Sequence, residues 1–136
     1  MRDKYNPDFF DKFLRKQFPK PEVASLSPEL IEAVQLYNKN EHKNLISQFI
    51  KNSSNKNAVD REGHSLLHFA VVSGKVGLVK YFLGLGFNKE LEDDSGFTPL
   101  MYGILKRKGL NPALGNKVFE CLNVLLEAGA HSNQIG

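Results

Sequence analysis

Side chains able to do chemistry are few in this chain: four histidines, His42, His64, His68 and His131, and one cysteine, Cys121. His64 and His68 stand four apart, the spacing at which one helix face offers two imidazoles to a metal. His64, however, falls before the helix that holds His68, and neither a nearby cysteine nor a second acidic pair supplies a third ligand. The sequence therefore argues against a metal site. A Cys121 nucleophile served by His131 would need both to leave their places, since Cys121 belongs to the apolar run Val118-Phe119-Glu120-Cys121-Leu122 and His131 to a loop. Such a cysteine reads as a small buried thiol in a reducing compartment. Gly84-Leu85-Gly86 lacks the preceding strand and following Lys-Ser or Lys-Thr of a phosphate-cradling loop, and reads as a helix end. No catalytic residue and no cofactor is expected.

The elements that must position these residues are helical. With 136 residues, 41% hydrophobic and 24% charged, the chain has the balance of one soluble globular domain. A net charge of only +3, with scattered Lys and Arg, is a weak footprint for nucleic acid. No apolar run suits a signal peptide or a membrane span, so a cytoplasmic protein is expected, with signal-less export left open. Asn6-Pro7 opens an amphipathic helix whose stripe is Phe9, Phe10, Phe13, Leu14 and Phe18. This stripe either caps the rest of the chain or meets a partner or membrane surface. Pro19 and Pro21 end it, dividing an N-terminal helix and linker, 1–22, from a main domain, 23–136. Ser27-Pro28-Glu29 starts a helix from Pro28 to about Asn38, with Leu30, Ile31, Val34 and Tyr37 or Leu36 facing inward. A further helix, from about Glu41 to Lys51, turns Leu45, Ile46, Phe49 and Ile50 inward and completes an antiparallel hairpin, followed by a polar connector, 52–57.

Internal repetition is the strongest signal. Asp60-Arg61-Glu62-Gly63-His64-Ser65-Leu66-Leu67-His68 returns 33 residues later as Asp93-Asp94-Ser95-Gly96-Phe97-Thr98-Pro99-Leu100-Met101. Gly63 and Gly96 suit turns of positive φ, Gly86 and Gly129 suit helix ends, and Thr98-Pro99 opens a helix. Because Gly86 and Gly129 lie 43 apart, the second copy holds ten extra residues, placed between its helices within 106–117.

With this period, and with Leu67-His68, Ala70, Gly74, Val79, Phe82-Leu83 and Glu127-Ala128-Gly129-Ala130, the chain resembles the ankyrin-repeat family. The resemblance implies an all-α solenoid of about three repeats: a degenerate capping repeat, 23–59, a full repeat, 60–92, and a repeat with the insertion, 93–136. It implies that Ser65 and His68 tie neighbouring loops together, which makes His68 structural. Leu66 and Met101 depart from the family's proline and histidine, and put local rigidity in question rather than the fold.

The resemblance also implies a function, binding another protein on a concave face made by the loop tips and first helices. The positions there are Arg61, Glu62, His64, Phe69, Val72, Ser73, Asp94, Ser95, Phe97, Tyr102, Leu105 and Lys106. Phe97 has two readings, an exposed anchor beside Phe69 and Tyr102 or a ring folded on the neighbouring loop. The expected partner is a protein, with no small-molecule substrate, and with nucleic acid and membrane disfavoured. Lys106-Arg107-Lys108 and Lys117 leave a membrane-surface or nucleic-acid adaptor as the reading of another class. Val118, Leu122 and Leu125 are expected to be partly uncovered on the last repeat, which opens a route to a homo-oligomer. The abundance of Lys, Asn, Ile and Phe suggests an AT-rich genome, and bacterial proteins of this family include host-directed effectors and toxin-neutralising (immunity or inhibitor) proteins, the sharper alternatives.

Overall fold

The computed structural model describes residues 26–53 and 55–129. These form six helices: α1 (Pro28–Leu36), α2 (Asn40–Asn52), α3 (Leu66–Val72), α4 (Val76–Gly84), α5 (Pro99–Arg107) and α6 (Pro112–Glu127). Among the described residues there is no strand, only an isolated antiparallel bridge between Val59 and Ser65. The amphipathic segment within 1–22 and residues 130–136 lie outside the described residues.

Three helices begin in the same way, with a side-chain oxygen accepting an amide N–H and a proline in the first turn. Ser27 Oγ accepts from Leu30 N at 3.1 Å, Thr98 Oγ1 from Met101 N at 3.3 Å and Asn111 Oδ1 from Leu114 N at 2.9 Å. These bonds satisfy amides that the helix itself leaves free. Just past α4, a φ of 91° at Gly86 lets Phe87 N reach back to Phe82 O at 3.1 Å.

α1, α3 and α5 stack in one row, α2 packs on α1, and α4 packs on α6. The core runs continuously through Leu30 and Val34, Ile46, Leu67 and Val71, Phe82, Leu100, Val118 and Leu125. α5 sits close to its neighbours because Gly103 has no side chain. A Cβ there would lie 2.7 Å from Val71 Cγ1 and from Leu122 Cδ2. One period earlier the same place holds Ala70, also fully buried.

The structure corrects three expectations. On the first hairpin Tyr37 packs against the core while Leu36 is exposed, and Leu45 is exposed as well. α2 has strong contacts only with α1 among the described helices, so its buried stripe narrows to His42 and Ile46. The ten extra residues do not form a loop between helices. α6 has 16 residues where α4 has 9, and α5 has 9 where α3 has 7, so most of the insertion extends the helices. Val118, Leu122 and Leu125 are buried, because the α6 stripe they form turns onto α3, α4 and α5. The exposed apolar residues of this repeat are instead Ile104, Leu105, Phe119 and Leu126.

Candidate functional site

Two aspartates, 33 residues apart, shape the loop tips before any recognition residue is placed. Asp60 Oδ1 accepts from Glu62 N at 2.9 Å and His64 N at 2.8 Å. Asp93 Oδ1 accepts from Ser95 N and Phe97 N, both at 2.9 Å. Each carboxylate thus closes a tight turn whose glycine, Gly63 or Gly96, takes the positive φ that the turn demands. The tips are joined by Asp94 N donating to Glu62 O at 2.9 Å.

His68 locks this arrangement from below. Its Nδ1 accepts from Ser65 N at 3.2 Å, with Ser65 Oγ 3.1 Å away, and its Nε2–H donates to Phe97 O at 2.9 Å. The imidazole is fully buried, and desolvation holds it below the usual histidine range despite the Phe97 carbonyl, which favours the charged form. It is neutral at pH 7 and structural in role.

Around it lies an aromatic cluster. Tyr102 stacks on His64 with ring centroids 4.5 Å apart and meets His68 edge-on at 5.7 Å, and Phe69 packs edge-on to His64 at 5.6 Å. Burial, then the charges of Glu62, Asp93 and Asp60, push the Tyr102 hydroxyl above its ordinary pKa, so it stays protonated and can donate a hydrogen bond. Lys106 Nζ lies 5.6 Å from the centre of the Tyr102 ring.

These parts enclose a groove of about 390 Å³, lined by Arg61, Glu62, His64, Asp93, Asp94, Ser95, Phe97, Tyr102, Leu105 and Lys106. Of the residues expected from sequence, Arg61, Glu62, Asp94, Ser95, Leu105 and Lys106 are exposed there, and Phe97 and Tyr102 are half-buried. Phe97 is therefore neither a free anchor nor a core ring. His64 and Phe69 are corrected: both are buried, because Tyr102 from the next repeat covers the His64 ring and Phe69 packs beneath it. Phe69, Val72 and Ser73 do not line the groove, the last two being half-buried on and just beyond α3.

Asp93 was missed, although its 33-residue spacing from Asp60 carried the signal. It is buried, and its Oδ2 accepts from His64 Nε2–H at 3.0 Å. Two further chemical residues are internal. His42 Nδ1 accepts from Asn38 N at 3.1 Å. Cys121 is fully buried, and burial with the charge of Glu120 pushes its thiol up to about 12. Arg107, in the basic run, lies 4.9 Å from the centre of the Phe119 ring.

Comparison with known proteins follows the same repeat. The family model for ankyrin repeats (3 copies) matches residues 30–135. An ankyrin repeat protein of Acanthamoeba polyphaga mimivirus is 30% identical over 76 residues, 56% of this chain but only 10% of that protein. Among solved structures, a chain from the Bdellovibrio bacteriovorus predatory endopeptidase in complex with its immunity protein aligns with a TM-score of 0.59 and 28% identity. That alignment covers 77% of this chain and 48% of the other.

Proposed function

Because this chain belongs to the ankyrin-repeat family, generally a non-enzymatic module for binding other proteins, we propose that it grips an exposed segment of a partner protein in the groove between its two loop tips and α5. One observation carries this reading: eight exposed or half-buried residues from two repeats line a single groove, Tyr102 and Phe97 among them. Half-buried aromatic rings held in place by their neighbours lose little entropy on binding, which suits them to anchor a contact. The turn aspartates, the buried neutral His68 and the protonated Cys121 are all engaged in structure, which favours a binding module over an enzyme. Among the described residues no helix is long and apolar enough to cross a membrane. Lys106 and Arg107 lie against aromatic rings of different helices, Tyr102 on α5 and Phe119 on α6, which favours a protein partner over a lipid surface or nucleic acid.

The test is affinity capture from the native cell with the wild type and with a Leu105→Glu, Lys106→Glu variant, both residues being exposed on α5. Loss of a specific partner from a folded variant is the expected result. Equal capture by both proteins overturns the groove as the binding face.

A second reading rests on the likeness to the endopeptidase–immunity complex. In it the partner is an enzyme that the module holds inactive, and adding this chain to the captured enzyme lowers its activity. Undiminished activity at saturating chain rejects that reading and leaves simple binding.

A further inference from the structure

The first loop tip places the carboxylates of Asp60 and Glu62 on one side of the His64 ring. Asp60 spends Oδ1 on two backbone amides, which leaves Oδ2 3.6 Å from His64 Nδ1. Glu62 Oε1 stands 3.7 Å from the same nitrogen. One donor atom each from Asp60, Glu62 and His64 lies within 4.8 Å of the others. On the far side of the ring, Nε2–H donates to Asp93 Oδ2 at 3.0 Å, and Asp93 is itself fixed by the amides of Ser95 and Phe97. That bond puts the hydrogen of the neutral ring on Nε2 and leaves Nδ1 with a lone pair. The His64 side chain is only 9% exposed and stacked under Tyr102, and among the described residues Nδ1 has no partner within hydrogen-bond distance, with carboxylate oxygens at 3.6 and 3.7 Å. In that tautomer the Nδ1 lone pair faces two carboxylate oxygens, and the three donors together suit a cation placed between them.

The dimensions suit a metal ion. Ligands 2.0–2.2 Å from a tetrahedral Zn2+ lie roughly 3.4 Å apart, close to the separations of 3.6 and 3.7 Å found here. A carboxylate on the second ring N–H is the usual support behind a metal-bound histidine, because it fixes the tautomer and aims the ring. Asp93 supplies it. One imidazole nitrogen with two carboxylates suits Zn2+ better than Mg2+ or Ca2+, which favour all-oxygen shells.

We infer that Asp60, Glu62 and His64 form a binding site for a divalent transition-metal ion of the Zn2+ type, with Asp93 as the residue that orients the imidazole. Three protein donors leave a coordination position open. Since Glu62 and His64 both line the groove, that position is available to water or to a carboxylate or imidazole of a bound partner. The site goes beyond the interaction reading and stands or falls separately from it.

The experiment is calorimetric titration of the full, chelator-stripped chain with Zn2+ and with Mg2+, paired with NMR of the histidine ring nitrogens. The expected result is one equivalent of Zn2+ that shifts the His64 ring signals, and no binding of Mg2+. Glu62→Gln, at a carboxylate whose side chain is 78% exposed, weakens Zn2+ binding at least tenfold while metal-free thermal unfolding is unchanged. Asp93→Asn weakens it about 10- to 100-fold. Absence of saturation below millimolar Zn2+ overturns the proposal. Equal affinity in Glu62→Gln, or shifts centred on His42 or His131, overturns it as well.

Discussion

The loop tip at 60–64 and its copy at 93–97 share one backbone and differ in what they carry. In each, an aspartate accepts two amides and returns its own N–H to the last carbonyl of the turn, His64 O at 3.0 Å or Phe97 O at 2.9 Å. The first tip is packed against the second: a Cβ on Gly63 would come 2.7 Å from Asp94 N. The second tip ends the described stack, and among the described residues a Cβ on Gly96 would meet nothing within 4 Å. The first helix of the first copy carries His68, bonded across the repeat boundary, where the second carries Met101. A repeated turn thus sets the frame, while neighbouring repeats decide which copy is under constraint.

The largest effect that would sharpen this contrast is expected at His68. His68→Ala leaves the buried Ser65 N–H without its partner and takes one of two donors from Phe97 C=O, which keeps Asp93 N–H, at a cost of about 2–3 kcal/mol in urea unfolding, whereas Met101→Ala at the half-buried equivalent costs about 1 kcal/mol. Equal losses would mean that the cross-repeat bond contributes nothing. Next comes Gly63→Ala. Strain at positive φ costs about 1–2 kcal/mol, and the clash with the Asp94 backbone adds at least about 1 kcal/mol more. Gly96→Ala incurs only the first cost, and a Gly96→Ala variant as unstable as Gly63→Ala breaks the distinction between a packed and an open tip.

A smaller effect follows acidification. His68 is held below the usual histidine range in the fold, so below that range the unfolded chain binds a proton that the folded chain refuses. Its contribution to stability is therefore intact above the ordinary histidine pKa and declines as pH falls through that value toward the lower folded one. His68→Gln should flatten this part of the pH–stability curve, and an unchanged slope would show that another group causes it. The smallest change is expected at Leu105→Glu, where unfolding stability stays within about 0.5 kcal/mol because the side chain is 49% exposed. A large loss there would show that the groove wall is part of the core.

Much of the frame was legible before any coordinates. The 33-residue return of Asp-x-x-Gly, the helices opened by Pro28 and Pro99 and the helix-ending glycines each have a local cause, and the structure places them as turns and caps. Inward stripes were read less well. Choosing between Leu36 and Tyr37, or counting Leu45 as inward, depends on how many helices lie against a face, which spacing along one helix does not reveal. The insertion showed the same limit, since its length was plain from the glycine spacing while its path, helix rather than loop, depended on α6 finding α3, α4 and α5 to pack against.

Sequence by itself determined the family, the helical repeat, the structural role of His68 and the segments that form the groove, because these follow from short-range turn and capping chemistry repeated at a fixed period. Only the tertiary structure decided the exposure of His64 and Phe69 and the partnership of His64 with Asp60, Glu62 and Asp93. His64 was set aside as a ligand for want of a third donor near His68. The donors it meets come from its own turn and from the next repeat, and what brings Asp93 to its ring is the stacking of one loop tip on another.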